Sequence, residues 1–308
     1  MRVGYIGLGA MGGALARHLV GKYTLTVLDL NSTIVASFEA LGARSAPTSK
    51  ELARHCDVVL MCLPRSSDVE RVLFGPDGLA EGLAAGAIVI DQTSGVPDET
   101  RGFAKRLAER GVSLMDAPVS GAMATAIAGT VSIIASGPKD VFEKVQPLLA
   151  TISRNVLYCG ERVGNGQTMK AVNNMMNTGC RLATLEAVSM GRKYGLSLPA
   201  MTEALNHTTG RSFTSQGMLV AIAEGRQSTN FGLALQLKDA QQALSMGIVQ
   251  GVPMPISDIA RGLLQTGVNT LGKDARLEQI IGFIESMADT RLAPSVPTTP
   301  TQHTSATS

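Results

Sequence analysis

The chain has 308 residues, 44% of them hydrophobic and 17% charged, with a formal net charge of +2. That length exceeds the roughly 100–200 residues of a single domain and predicts two, while so small a charge gives no reason to expect nucleic acid as a partner. The longest apolar runs, such as residues 58–63, are strand-sized; a membrane helix needs about 20 apolar residues, so no membrane partner is expected.

In chain order, a strand is predicted over residues 2–6, running directly into Gly7-Leu8-Gly9-Ala10-Met11-Gly12. No targeting segment is expected ahead of it. Further strands are predicted over residues 24–29, 58–63, 87–91, 112–116 and 130–135, with helical sequence before each next one, as parallel βαβ units require. Asn31 is placed to cap the helix after the second strand, and Pro97 to open a later one. The fold class expected for residues 1–162 is α/β, a doubly wound Rossmann sheet. After Gly160 strand signals stop. Residues 163–291 read as an all-helical domain for substrate binding and oligomerisation, with one helix of roughly 30 residues over 164–194 as its spine. Residues 292–308, rich in Pro, Thr and Ser, read as a disordered tail. Cys56, Cys62, Cys159 and Cys180 show no CxxC spacing, so neither zinc nor a disulfide framework is indicated, and a reduced cytoplasmic setting fits.

The glycine motif carries the first piece of chemistry. It follows a strand, opens a helix, and is followed about 20 residues on by Asp29 at the end of the next strand, the pattern of a dinucleotide site. Gly7 serves the tight turn, Gly9 admits the pyrophosphate, Gly12 lets helix and strand pack closely, and the helix start offers its positive end to the phosphates. Asp29 favours NAD over NADP, because a carboxylate accepts ribose hydroxyls and repels a 2′-phosphate. Arg65, after Pro64 at the end of a strand, is the candidate to meet a 2′-phosphate, though the expected role of such a loop arginine is solvation. A second motif, Lys170-Ala171-Val172-Asn173-Asn174, lies inside the long helix, where positions i, i+3 and i+4 share a face. Between the two, Asp116-Ala117-Pro118-Val119-Ser120-Gly121 offers amide and hydroxyl donors suited to a small carboxylate.

With Gly164-Asn165-Gly166, Gly129-Thr130, Phe231 and Leu237-Lys238-Asp239 added, the chain resembles the β-hydroxyacid dehydrogenase family over residues 1 to about 290. That family includes 3-hydroxyisobutyrate dehydrogenase and tartronate, glyoxylate and succinic semialdehyde reductases, with 6-phosphogluconate dehydrogenase a distant relative. The resemblance implies an NAD-dependent oxidoreductase that interconverts a small 3-hydroxy acid and its semialdehyde. It makes Lys170 the general acid/base. Asn174, Ser120, Gly121, Ala122 and Lys238 become substrate contacts. Gly7, Gly9, Ala10, Met11, Gly12, Asp29, Leu63, Pro64, Thr93, Phe231, Lys238 and Asp239 become cofactor contacts, with Ser94 beside Thr93. No metal is implied, the substrate bears a carboxylate, and relatives suggest a homodimer or homotetramer.

Two departures bear on the substrate. Ala122 and Met123 follow Ser120-Gly121 where a second small residue is usual, which changes the pocket floor. Asn173 and Asn177 stand where phosphogluconate relatives have a histidine and a glutamate, so decarboxylation is not expected. The alternatives are an imine reductase-like enzyme, against which the Lys-x-x-Asn-Asn element speaks, and a cofactor-binding interaction protein that has lost its chemistry. His18, His55 and His207 are isolated and expected to pack or face solvent, and Arg211 is a second candidate carboxylate clamp.

Overall fold

The computed structural model describes residues 1–292. The expected tail lies, from Ala293 onward, outside the described residues. Two compact units divide the chain between Asn173 and Asn174, inside the long helix, where the sequence suggested a boundary after residue 162.

The first unit is built on a six-stranded parallel sheet of β1 (Arg2–Ile6), β2 (Thr24–Leu28), β3 (Arg44–Ser45), β4 (Val58–Met61), β5 (Ile88–Asp91) and β6 (Ser113–Asp116), in the order β3-β2-β1-β4-β5-β6. Both faces of this sheet are covered. Val3, Tyr5, Val58, Leu60, Ile88 and Ile90 join one core with Leu15, Val145 and Leu149. The alternate residues Ile6, Val59, Met61, Val89 and Leu114 join the other with Leu52, Val69, Leu73, Phe103 and Leu107. That is why the strands read as continuous apolar runs. Each fully buried aliphatic side chain contributes about 1.5–3 kcal/mol of transfer free energy.

One strand assignment is corrected. Residues 130–135 do not continue the parallel sheet; Ser132–Ala135 is β8 of a second, three-stranded sheet, antiparallel to β7 (Val119–Ser120) and parallel to β9 (Asn155–Tyr158). Between β6 and β8 the chain first forms β7 and then the short helix Met123–Ile127, so β8 pairs with β7 and β9 rather than with β6. Asp116 and Ser136 form an antiparallel bridge between the end of β6 and the end of β8. The sixth strand of the main sheet is instead β3, an exposed pair of residues with no pattern to announce it.

The capping expectations hold. The Asn31 side chain accepts from the Thr33 and Ile34 amides at the start of Ser32–Glu39, and Pro97 occupies the first turn of Pro97–Ala108. The long helix runs over Asn165–Lys193, 29 residues. Its buried positions, including Ala171, Met175, Thr178, Leu182, Leu185 and Val188, recur three or four apart.

The second unit contains the remainder of that helix and, among the described residues, only helices beyond it, including Leu198–His207, Leu233–Val249, Pro255–Leu271 and Ile280–Met287. Leu233–Val249 packs on Pro255–Leu271. The segment before Leu233 is pinned by a bridge between Gly232 and Arg276 and by the Leu277 amide donating to the Phe231 carbonyl at 2.7 Å. No helix among the described residues is long and apolar enough to cross a membrane.

Candidate active site

The loops that follow β1, β4 and β5 all leave from the carboxyl edge of the sheet, where open α/β folds bind ligands. Each is locked to its neighbour by backbone bonds: Gly7 N–H to the Leu28 carbonyl, Cys62 N–H to Ile6, Gln92 N–H to Met61 and Ala117 N–H to Asp91. The three motif glycines are distinguished by their surroundings. Gly7 has φ +89°, and a Cβ there would stand 2.3 Å from the Cys62 carbonyl oxygen. At Gly12 a Cβ would stand 2.0 Å from the Gly7 carbonyl oxygen, so helix and turn touch through it. At Gly9 a Cβ would meet no protein atom within 4 Å.

Gly9 is the N-cap of Ala10–Arg17, and no side chain of this chain caps it. Gly9 and Ala10 are exposed and Met11 is half-buried. The free amides of a helix start, with clear space at Gly9, fit a pyrophosphate. Asp29 is half-buried; its carboxylate accepts from the Leu8 amide at 2.6 Å and from the Asn31 amide at 2.8 Å. It therefore holds the glycine loop in place and sets a negative charge at the end of β2. The residues present fit a dinucleotide.

Leu63 is half-buried and Pro64 and Arg65 are exposed in the loop after β4. Thr93 is buried after β5, and its hydroxyl accepts from the Leu63 amide at 3.1 Å, so the two loops are joined. Ser94 beside it is half-buried.

Ser120 ends β7 and is half-buried; Gly121, Ala122 and Met123 are exposed after it. Gly121 has φ +158°, and a Cβ there would meet the Thr125 hydroxyl at 2.5 Å. Asn173 donates from Nδ2 to Ser120 Oγ at 3.0 Å. Lys170, half-buried, stands one turn earlier on the same helix. In the second unit, Asn174 donates to Asp239 Oδ2 at 2.8 Å, and Lys238 Nζ pairs with Asp239 Oδ1 at 3.1 Å. Phe231 is exposed on the pinned segment ahead of that helix. The structure therefore groups Ser120, Asn173 and Lys170 within the first unit, and Asn174, Lys238 and Asp239 within the second.

His18 Nε2 lies 2.8 Å from the Ala126 carbonyl, and His207 Nδ1 lies 3.0 Å from the Glu203 carbonyl on its own helix. Arg211 is exposed.

The sequence reading missed a buried polar network behind these residues. Asp116, fully buried, accepts from the Gly164 amide at 2.6 Å, the Gln167 amide at 2.8 Å and the Ser136 hydroxyl. Ser136 in turn accepts from the Gly166 amide at 2.9 Å. Gln167, also buried, donates from Nε2 to Asp91 Oδ2 at 3.1 Å. Burial pushes the Asp91 carboxyl up from 3.8 to about 7, opposed by bonds from Thr93 and reinforced by the nearby Asp116. Burial also raises Asp116, against the bonds from Ser136, Gly164 and Gln167. The available signal was the pair of acids at the ends of adjacent strands, Asp91 facing Asp116 in register.

Comparison with known proteins identifies the family. Residues 2–160 match the family model described as the NAD binding domain of 6-phosphogluconate dehydrogenase, and residues 164–284 match that described as NAD-binding of NADP-dependent 3-hydroxyisobutyrate dehydrogenase. The 2-(hydroxymethyl)glutarate dehydrogenase of Eubacterium barkeri is 35% identical over 270 residues, 87% of this chain and 89% of that protein. The 3-hydroxyisobutyrate dehydrogenase of Pseudomonas aeruginosa is 34% identical over 209 residues, 68% of this chain and 70% of that protein. The solved 3-hydroxyisobutyrate dehydrogenase of Mycobacterium tuberculosis shares the fold, with TM-score 0.84 at 22% identity, covering 92% of this chain and 99% of that one. Its glycine loop on a parallel sheet, its helical second unit and these matches together make the chain an NAD-binding oxidoreductase that belongs to the β-hydroxyacid dehydrogenase family.

Proposed function

We propose that the protein interconverts a small 3-hydroxy acid and its semialdehyde, with Lys170 as general acid/base and NAD rather than NADP as cofactor. The observation that carries this reading is the bond from Asn173 to Ser120, which sets the Ser120 hydroxyl beside the helix turn that bears Lys170. Bound NAD supplies the hydride acceptor for the carbinol carbon. An alcohol that loses hydride must also lose its hydroxyl proton, and Lys170 Nζ is the group assigned to take it; in the reverse direction the ammonium returns it to the developing alkoxide. Ser120 Oγ already accepts from Asn173, so its O–H proton remains to donate to a substrate carboxylate oxygen. Asn174 is assigned to the substrate hydroxyl or carboxylate, held in orientation by Asp239, and Gly121 and Ala122 line the same carboxylate grip. The Ala122-Met123 segment is assigned to the pocket floor, where it would distinguish this chain's substrate from those of its relatives. Asp29 supports NAD, since a 2′-phosphate beside its carboxylate would meet like charge. The hydroxy acids named for the two relatives, 3-hydroxyisobutyrate and 2-(hydroxymethyl)glutarate, define the first compounds to try.

The test is the initial rate of nicotinamide absorbance change for wild type and Lys170→Ala, over 3-hydroxy acids with NAD or NADP and short semialdehydes with the reduced cofactors. The expected result is turnover on at least one compound, faster with NAD, falling about 10²–10⁴-fold in the variant. A compound turned over equally by both proteins would remove Lys170 from the chemistry. Cofactor binding with no turnover of any panel member, or turnover of an imine alone, would overturn the assigned reaction.

A further inference from the structure

We propose that Asp116 is a positioning residue for the Lys170 step: with the Ser136 hydroxyl, its carboxylate caps the long helix from outside and fixes where Lys170 and Asn173 stand relative to Ser120. This rests on the functional reading above and assigns a task to residues that reading leaves idle.

A helix start leaves its first amides without internal partners. The usual solution is a side chain at the N-cap itself, but the residue ahead of Asn165 is Gly164, which has none. Here the cap comes from a distant strand. Gly164 and Gln167 donate to the two carboxylate oxygens of Asp116, and Gly166 donates to Ser136, whose own hydroxyl donates back to Asp116. Three amides at the start of the helix are thus held by two side chains from the β6 and β8 ends.

The glycines make the contact possible. A Cβ on Gly166 would stand 2.2 Å from the Ile134 carbonyl oxygen and 2.8 Å from Asp116 Oδ2, so only a bare backbone reaches the carboxylate. Gly164 has φ +91°, a conformation that other residues rarely adopt. The Gly164-Asn165-Gly166 element is therefore explained by its approach to Asp116.

The same carboxylate sits on the segment that presents Ser120. Asp116, Ala117, Pro118, Val119 and Ser120 are consecutive, and the Pro118 carbonyl is tied to the Ile134 amide at 2.9 Å. Asp116 is thus four residues from one functional hydroxyl and hydrogen-bonded to the helix three residues before Lys170. Gln167 extends the fixture to β5, donating to Asp91 and, at 3.4 Å, to the Thr93 carbonyl. All of these residues belong to the first unit. Because a displacement of about 1 Å in a reacting group costs on the order of 10²-fold in rate, the link's effect falls on turnover more than on binding.

The experiment compares wild type, Asp116→Asn, Ser136→Ala and Lys170→Ala, using the hydroxy acid that wild type turns over fastest. It measures kcat and KM, the Kd for NAD by calorimetry and thermal unfolding. Asp116→Asn replaces one acceptor oxygen by a donor that faces a helix amide. It is expected to lower kcat about 10²-fold with Kd for NAD within about twofold of wild type. Ser136→Ala, the milder lesion, is expected to lower kcat about tenfold. Normal turnover per folded molecule in both variants, with only a lower unfolding temperature, would overturn the assignment and leave Asp116 a purely structural cap. If Asp116→Asn does not fold, Ser136→Ala decides by the same criterion. Loss of activity in Lys170→Ala without loss in Asp116→Asn or Ser136→Ala sinks this inference alone; normal activity in Lys170→Ala sinks the proposed reaction and this inference with it.

Discussion

Gly7, Gly9 and Gly12 lie within six residues and have three different local reasons to be glycine, which single substitutions can separate. Gly12 is buried inside a helix, where glycine costs about 1 kcal/mol relative to alanine. The sequence accepts that cost because a Cβ would collide with a backbone oxygen 2.0 Å away, and a backbone atom has no rotamer by which to retreat. Gly12→Ala is therefore expected to destabilise the fold by about 1–3 kcal/mol or more, read as a fall of several degrees in Tm. Gly9→Ala meets no protein atom and is expected to leave Tm within about a degree of wild type while weakening NAD binding at least about tenfold, because the added methyl occupies the approach to the helix-start amides. Calorimetric titration of NAD into both variants checks the split. Wild-type affinity in Gly9→Ala would show that the pyrophosphate does not pass over that residue.

At the scale of elements, the strand ends hold most of the first unit's buried charge, and Asp91 makes that visible in pH. Its carboxyl is shifted from 3.8 to about 7, chiefly by burial. An acid whose folded pKa is raised binds its proton more tightly in the folded state, so its stabilising contribution is complete below about 4 and is lost as pH rises to about 7. At about 1.4 kcal/mol per unit, the span is on the order of 4 kcal/mol. Denaturant unfolding across that range should show stability falling with pH relative to Asp91→Asn, which carries a permanent neutral group; parallel curves for the two proteins would contradict the shift. This network was not legible in the sequence for a physical reason: its members, Asp91, Asp116, Ser136 and Gln167, are scattered over some 76 positions and share no periodicity. The elements that were legible are those with a local pattern. Strands β1, β4 and β5 are buried on both faces and read as apolar runs, and Asn31 and Pro97 announced their helices. Strands β3 and β7 are two residues each, and β9 alternates exposed with half-buried positions, so pairing rather than composition makes them strands.

At the scale of the whole molecule, the residues that resemblance gathered into one list fall into two groups by unit. Ser120 and Lys170 lie before the division and Asn174, Lys238 and Asp239 after it. The second unit also carries apolar surface that its own packing leaves open. Ile248 and Val249 are 77% and 74% exposed at the end of one helix, and Ile256 and Ile259 are 74% and 65% exposed at the start of the next. Together with Val252 they surround the single turn at residues 250–254. Five exposed β-branched side chains within twelve positions are costly to keep in water, and burial against a partner would cover them. The partner expected is a second copy of this chain, because closed homo-oligomers are the commonest solution and need no other gene product. Light scattering coupled to size exclusion at micromolar concentration should therefore give a multiple of 32.1 kDa. Ile256→Glu, which places a charge among these exposed side chains, should shift the mass toward the single chain while leaving the helical content unchanged. A wild-type monomer under those conditions would refute self-association. An oligomer indifferent to Ile256→Glu would place the contact on another face, for which the exposed Met176 and Met190 on the long helix and Tyr194 just after it are the next to substitute.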